Sequence, residues 1–161
     1  MNEPYKSYTV EEAKRKLEHY CAYQDRCHEE VQQKLKSLNM IPQAADAIIV
    51  HLIEHNFLNE ERFACSFARG KFRIKQWGRR RIVTELKARG ISKYNIDKAL
   101  KEINEDEYTE AFDALAQKQW DSMAGSTLLN KRKKLIDYLL RKGFENTMVF
   151  EKINFLAGLK Y

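Results

Sequence analysis

One five-residue pattern in the sequence, His51-Leu-Ile-Glu-His55, has the spacing of a zinc site. Two histidines four residues apart share a helix face, where both rings reach one metal ion and the glutamate serves as general base. No further carboxylate ligand is identifiable, and the repeat described below places both histidines at solvent-side positions. So short a match is weak evidence, and solvated histidines are the favoured interpretation. We expect no metal site here.

A second candidate for metal or redox chemistry is the group formed by His19, Cys21, Cys27 and His28. Its spacing matches no zinc pattern, and Cys21 and Cys27 fit better as small apolar residues of a core. Cys65 follows an alanine in a predicted helix and is interpreted as a packing residue. The sequence has no Walker loop, no G-x-G-x-x-G and no nucleophile elbow. We therefore expect no catalytic residue, no cofactor and no enzymatic activity.

The strongest chemical signal is positive charge. Between Lys71 and Lys101 the chain has eleven basic and two acidic residues, a net charge of +9, whereas the whole chain carries only +6. A basic segment between more acidic flanks indicates a polyanionic partner, most often a nucleic acid. The alternative interpretation is an ordinary solvated helix face.

The predicted phosphate contacts are the cations that cluster in this segment and in a second basic run further along the chain. They are Lys71, Arg73, Lys75, Arg79, Arg80, Arg81, Lys87, Arg89, Lys131, Arg132, Lys133 and Lys134. Phe72 and Trp77 lie among them and are available to stack or to pack. A tryptophan is more often an anchor in a core than a platform for a base, which is the interpretation favoured for Trp77.

Size and composition indicate a small helical protein. The chain has 161 residues, 43% of them apolar and 32% charged, with only two prolines and six glycines. No apolar run approaches the roughly 20 residues of a membrane span. The N-terminal stretch MNEPYKSYTV lacks the apolar region of a signal peptide, and an odd number of cysteines fits reduced thiols. We expect a soluble, cytoplasmic protein.

Helix signals recur along the chain. Thr9 and Glu12 form a capping box, Pro42 suits a first helical turn, and Asn59 and Ser92 are further N-caps. Apolar residues at helical spacing follow each of these positions. An acidic connection over residues 102–107 leads to the last third of the chain. Nine helices are predicted in total.

The helices fall into a threefold repeat. Adding 51 to positions of the first unit, and 53 to those of the second, reaches residues of the same character, as in Val31, Ile82 and Leu135. The second helix of each unit ends at a residue type that tolerates positive φ: Asn39, Gly90 and Gly143. We name the units module one (1–57), module two (58–105) and module three (106–161). This pattern predicts an all-α fold of three tandem three-helix repeats, each with a core of its own, in an elongated array that is either straight or curved.

The second and third helices of each module resemble a helix-turn-helix, which can place one helix in a DNA groove. The same geometry also serves as a plain bundle. Module one has His28-Glu29-Glu30 where module three has its basic run, so the cationic surface is expected on the C-terminal two-thirds of the chain. Two alternatives are left open: a stand-alone DNA-binding protein, and a structural scaffold whose binding to its partner hardly depends on salt.

Several motifs resemble the RecX family of bacterial regulators of the RecA recombinase. The most specific runs from Phe57 to Ala64, followed by Arg69, by Gly78-Arg-Arg-Arg-Ile82 and by Gly90-Ile91. Arg26-Cys-His-Glu-Glu-Val31 is similar to the first-repeat signature, but has Cys27 where the family has serine, a change that weakens a helix cap. Asn39 also replaces a glycine. Module three matches mainly through Leu139, Gly143 and Phe144.

The resemblance implies three tandem three-helix repeats, no catalysis, and a RecA filament on single-stranded DNA as the partner. Family members bind along the filament groove and limit filament growth, ATPase, strand exchange and coprotease activity. Arg69 joins the contact residues through the motif, and Gly78 is assigned a structural role. We further expect a monomer that contacts DNA electrostatically.

Overall fold

The computed structural model describes residues 7–158 of the chain. Residues 1–6, which belong to the stretch that lacks a signal-peptide pattern, and residues 159–161 lie outside the described part. The described residues form nine helices and no strand, which confirms the all-α prediction: α1 (Val10–Tyr23), α2 (His28–Ser37), α3 (Pro42–Glu54), α4 (Glu60–Arg73), α5 (Arg79–Ala88), α6 (Lys93–Lys101), α7 (Glu105–Ser122), α8 (Leu128–Lys142) and α9 (Asn146–Leu156). None of these helices has the length and apolar character that crossing a membrane requires.

The predicted helix caps are present. The side-chain oxygens of Thr9, Asn59 and Ser92 accept hydrogen bonds from backbone N–H groups three residues ahead, at 3.1, 2.9 and 3.3 Å. The three predicted helix-ending residues also have the expected left-handed backbone, with φ of 58° at Asn39, 73° at Gly90 and 99° at Gly143. Local chemistry therefore determines where these helices begin and end.

The beginning of α7 differs from the prediction. Residues 102–107 were expected to form an acidic connection, but α7 already begins at Glu105 and is capped by Asn104, whose side chain accepts from the Glu107 N–H at 3.0 Å. The three acidic residues 105–107 occupy the first turn, where negative charge is stabilised by the positive end of the helix dipole. The acidic residues therefore mark the beginning of a helix and not a connection between helices.

The core is divided into two clusters, where the repeat predicted three. Module one has its own cluster, which includes Leu17, Val31 and Leu52, but one continuous cluster runs through modules two and three. Aromatic rings join these two modules: Tyr108 of α7 lies 5.7 Å from Phe72 of module two and 5.5 Å from Phe144 of module three, between ring centroids. The expectation of a separate core for each module was therefore wrong for these two.

The end of α8 docks onto the beginning of α5. The Gly78 N–H donates to the Lys142 carbonyl oxygen at 2.7 Å, and the Arg80 N–H donates to the Gly143 carbonyl oxygen at 2.9 Å. A helix start has free N–H groups and a helix end has free carbonyl groups, so each satisfies the other. The two helix dipoles also meet positive end to negative end, which is favourable.

Two glycines permit this close approach. A Cβ atom at Gly78 would overlap the backbone of Gly143 and Phe144, and one at Gly143 would overlap the backbone and Cβ of Arg81. Gly143 also has the positive φ that favours glycine. Gly78 is therefore structural, as the motif comparison suggested, because it lets two helix ends meet.

Tyr108 fixes the same junction from inside the core. Its hydroxyl accepts from the Arg79 N–H at 3.1 Å and donates to the Glu145 carboxylate at 2.9 Å. Only 1% of the residue is exposed. Burial raises the pKa of Tyr108 well above its usual range, and the negative charge of Glu145 raises it further. The hydrogen bond from the Arg79 N–H lowers this pKa, but by less than burial raises it.

Replacing Tyr108 by phenylalanine is expected to lower the free energy of unfolding by about 1–3 kcal/mol at neutral pH, because a buried N–H and a carboxylate lose their partner. The pH dependence should also change. The folded state keeps a phenol proton that the unfolded chain loses above about pH 10, so wild-type stability falls as the pH rises beyond that value. Urea unfolding across the alkaline range tests this expectation: the variant should show the shallower fall, and parallel curves would contradict it.

Module one contacts module two through a small group of polar side chains, Asp25, Arg62 and Ser66, which we call the Asp25 clasp. The Asp25 carboxylate accepts from Arg62 Nε at 2.6 Å and from Ser66 Oγ at 2.9 Å, and Cys27 packs into the core of modules two and three. Beside the clasp, a cleft of about 690 Å³ opens between α2 and the pair α4–α5. Module one therefore shares less buried contact with module two than modules two and three share with each other.

Candidate nucleic-acid interface

The cations predicted to contact phosphates separate into two groups in the structure. In the first group, each arginine has a carboxylate partner within the chain. These ion pairs are Arg69–Glu102 at 3.0 Å, Arg73–Glu107 at 4.0 Å, Arg79–Glu105 at 2.6 Å and Arg89–Glu85 at 2.9 Å. Their charge is balanced locally, so they add less to an anion-binding surface than an unpaired cation does.

Arg79 is the most enclosed member of this group. It lies 3.9 Å above the Tyr108 ring and forms a second ion pair with Glu145 at 3.7 Å. Its side chain is 23% exposed. Although Arg79 begins the Arg-Arg-Arg run, the structure places it at the contact between modules two and three.

The second group has no carboxylate within ion-pair distance among the described residues. It contains Lys71, Lys75, Arg80, Arg81, Lys87, Lys131, Arg132, Lys133 and Lys134 from the sequence prediction. Arg80 donates to the Asn146 amide oxygen at 2.7 Å, which is a neutral partner. The positive charge of these residues is available to a ligand.

Two aromatic side chains hold some of these cations in place. The Arg81 guanidinium lies 4.2 Å from the centre of the Trp77 ring, and the Lys71 ammonium lies 5.0 Å from it. Trp77 packs edge-on against Phe67, and Arg89 lies 4.9 Å from the Phe67 ring centre. We call Phe67, Lys71, Trp77, Arg81 and Arg89 the cation–aromatic strip. Trp77 is an anchor in this arrangement, and Phe72 is buried and packs against Tyr108.

Arg81 also belongs to a cluster of cations at the junction of modules two and three. Lys142 Nζ donates to the Lys75 carbonyl oxygen at 3.0 Å, and Arg81 Nη1 donates to the Arg141 carbonyl oxygen at 3.4 Å. Partial burial lowers the pKa of Lys142, and the positive charges of Arg81 and Lys75 lower it further. Arg141 lines a surface cleft together with Arg80 and Arg81, and we call Lys75, Arg81, Arg141 and Lys142 the junction cluster. Such crowding of like charge favours a bound anion.

Arg141 and Lys142 were not among the residues predicted from the sequence. They end α8, more than 50 residues after Arg81, and only the docking of α8 onto α5 brings them together. The sequence did contain a signal for Lys142. The repeat offset of 53 relates it to Arg89, which was one of the predicted contact residues. Charge clustering along the chain did not detect a cluster that forms across two modules.

The second predicted basic run lies on the N-terminal half of α8. Lys131 lies 4.2 Å from the Trp120 ring centre, whereas Lys133 and Lys134 are exposed. Arg132 is half-buried, and its Nε atom has no hydrogen-bond partner in the described structure. At 1.5 Å per residue, this run begins roughly 15 Å from the junction cluster along the same helix. One helix therefore carries positive charge at both ends.

His51 and His55 differ in burial and in their contacts. His51 is half-buried and its Nε2 lies 3.1 Å from Glu18 Oε1 of α1, so the expectation of a solvated histidine was wrong at this position. His55 is exposed, as expected, and its ring stands 4.2 Å from that of His51. Within residues 7–158 no group of three His, Cys, Asp or Glu side chains is arranged to hold a metal ion.

The cysteines are packing residues. Cys21 and Cys27 are buried, Cys65 is half-buried, and all three are free thiols. Burial raises the pKa of each thiol, which disfavours the reactive thiolate. The Glu30 half of a capping box is also present at this helix start, because the Cys27 backbone N–H donates to Glu30 Oε1 at 3.3 Å, a bond that does not depend on the side chain at position 27.

Comparison with known proteins identifies the same family in two parts of the chain. Residues 59–100 match the model for "RecX, second three-helix domain", and residues 105–153 match that for "RecX, third three-helix domain". The crystal structure of RecX from Lactobacillus salivarius superposes with a TM-score of 0.79 and 26% identity, covering 93% of this chain and 97% of that one. The resemblance inferred from the motifs is confirmed.

Curated relatives named "Regulatory protein RecX" are longer than this chain. The relative from Lactobacillus johnsonii is 34% identical over 92 residues, which are 57% of this chain and 34% of the relative. The relative from Enterococcus faecalis is 28% identical over 138 residues, 86% of this chain and 52% of the relative. The chain thus spans between a third and about half of the length of these relatives.

Proposed function

Because the chain belongs to the RecX family, we propose that it regulates a RecA recombinase, mainly as an inhibitor. In this proposal the chain binds along the groove of the RecA filament on single-stranded DNA. It thereby limits filament growth, ATPase, strand exchange and coprotease activity. The chain acts in the cytoplasm as a monomer, and it acts by binding rather than by chemistry.

The observation that carries this proposal is the set of unpaired cations on modules two and three. The junction cluster, together with Lys71 and Arg81 of the cation–aromatic strip, offers positive charge without a carboxylate partner among the described residues. A filament groove presents DNA phosphates and acidic protein side chains, and both attract such a surface. Module one carries seven basic and nine acidic residues and has no comparable cluster.

The position of the cations also favours an extended polyanion over a small anion. Lys75 lies in the connection between α4 and α5, Arg81 lies in the first turn of α5, and Lys133 and Lys134 lie on the N-terminal half of α8. A ligand that contacts all of them must cross from module two to module three. A nucleic-acid strand has its charges spaced regularly over such a length.

The direct test is the single-stranded-DNA-dependent ATPase of the cognate RecA, with this chain added well below one molecule per RecA subunit. We expect a fall in the steady-state rate, because one chain that binds in the groove or at an end affects many subunits. The fall should weaken as salt rises, since phosphate contacts release counterions.

A different result would assign another function. An ATPase rate that stays unchanged at equimolar chain and low salt would contradict the proposal. Tight binding to one duplex sequence without RecA, at roughly 10³-fold above random DNA, would instead indicate a stand-alone DNA-binding protein. Filter binding with labelled duplex and single strands distinguishes these outcomes.

A further inference from the structure

Helix α3 has apolar residues on both of its faces. Its inner face packs Ile48, Ile49 and Leu52 into the core of module one. Its outer face exposes Ala47, Val50 and Ile53, with 52% of Val50 and 47% of Ile53 accessible to solvent. These three residues follow one another at the i, i+3 spacing, so they form a single stripe. We call them the α3 stripe.

The repeat shows that the fold does not require this stripe. The offset of 51 relates its positions to residues of module two that are all polar: Lys98, Lys101 and Asn104. The offset of 53 then reaches residues of module three of which two are polar: Glu151, Asn154 and Ala157. A helix that is apolar all round is normally covered on both sides. The outer face of α3 therefore has the character of a contact surface.

The charge around the stripe favours a protein over a nucleic acid as its partner. Asp46 and Glu54, both exposed, are the only acidic or basic residues of α3 apart from His51. These carboxylates would repel a phosphate backbone, and a phosphate backbone has no apolar surface with which to cover the stripe. The complementary partner is a protein surface with an apolar patch and basic side chains at its edge.

We propose that the α3 stripe binds the recombinase protein of the filament, whereas modules two and three bind its DNA. This inference rests on the proposed function and divides the two partners between the modules. It requires a binding surface on module one that acts independently of the junction cluster.

The size of the stripe also fits a secondary anchor rather than a dimer interface. Its exposed side chains offer on the order of 200 Å², well below the ~800 Å² per partner of a stable protein interface. A second copy of this chain would not be held by so small a patch. A partner already held nearby by DNA contacts is different, because the high effective concentration makes a small apolar contact sufficient.

The test replaces Val50 and Ile53 together by asparagine, the residue type that the repeat offsets place at these positions in modules three and two. The change leaves the net charge unaltered and the inner face of α3 intact. We expect wild-type binding to bare single-stranded DNA by fluorescence anisotropy. The RecA filament is assembled on the same strand with a slowly hydrolysed nucleotide. We expect the double variant to bind this filament at least roughly tenfold more weakly than wild type.

The control replaces Leu129 of α8, a residue that is 75% exposed, by asparagine. It removes an exposed apolar side chain from module three and should leave filament binding unchanged. Equal filament binding by wild type and the double variant would overturn the inference, as would an equal loss in the control. So would a wild-type dimer in sedimentation that the double variant dissociates, because a second copy would then cover the stripe.

A failure of the proposed function itself is distinguishable in the same experiment. In that case wild type would bind the filament no better than bare DNA and would leave the RecA ATPase unchanged. The double variant is informative once wild type shows filament-specific binding. Circular dichroism of the variant should match wild type, because both substituted side chains are exposed.

Discussion

Replacing Lys75, Arg81 and Lys142 by glutamate is expected to weaken binding to single-stranded DNA by about 100-fold or more at low salt. All three residues lie at the junction of modules two and three, and none has a carboxylate partner among the described residues. A plot of the logarithm of the association constant against the logarithm of the salt concentration has a negative slope. That slope should become shallower by about 2, because each lost phosphate contact on a single strand removes roughly 0.7. Fluorescence anisotropy across a salt series measures both quantities. Inhibition of the RecA ATPase should be lost in parallel.

A matched variant separates the cluster from net charge. Arg15, Lys36 and Lys118 are exposed and lie outside the junction, so reversing these three changes the total charge equally. The affinity of this control variant for single-stranded DNA should fall only slightly. If both triple variants lose the same amount, the overall charge and not the junction cluster attracts DNA. Arg79 is left unchanged in both, because reversing it would break its ion pairs with Glu105 and Glu145.

Replacing Gly78 by alanine is expected to lower the free energy of unfolding by roughly 3 kcal/mol, although it adds a single methyl group. The added Cβ would overlap the backbone of Gly143 and Phe144, so α8 must move away from α5. That movement lengthens the hydrogen bonds from Gly78 and Arg80 to the end of α8. Urea unfolding followed by circular dichroism gives the free energy. The junction cluster should be disturbed as well, so DNA affinity falls with stability.

Two other glycines provide graded controls for this prediction. Gly70 lies inside α4 with open space around it, so alanine there should stabilise the protein by up to ~1 kcal/mol through helix propensity. Gly90 has open space but a φ of 73°, so alanine should cost about 1–2 kcal/mol through backbone strain alone. A Gly78 variant no less stable than the Gly90 variant would show that the helix ends do not need to meet so closely.

Much of the fold was predictable because its signals are local or periodic. Capping residues, the left-handed positions Asn39, Gly90 and Gly143, and apolar residues at helical spacing each act within a few residues. The threefold repeat then gave the number and order of the helices. Cys21 and Cys27 were correctly interpreted as core residues, because small thiols without metal spacing pack as apolar groups.

The contacts between modules were not predictable in the same way. Nothing in the sequence shows that Tyr108, which follows three acidic residues, is buried between Arg79 and Glu145. The acidic residues around it suggested a solvated connection. The pairing of Arg69 with Glu102 and of Arg79 with Glu105 likewise depends on which helices meet, which a single sequence does not give. Positive charge was detectable, but not whether it is balanced.

The division of the core into two clusters has a consequence for hydrogen exchange. Module one has its own core, and the Asp25 clasp and Cys27 connect it to modules two and three, so we expect it to open as a separate cooperative unit. Its amide protons should exchange through an opening that leaves α4–α9 protected, whereas modules two and three should open together. Hydrogen exchange should therefore divide the chain into one module that opens on its own and a pair of modules that open together.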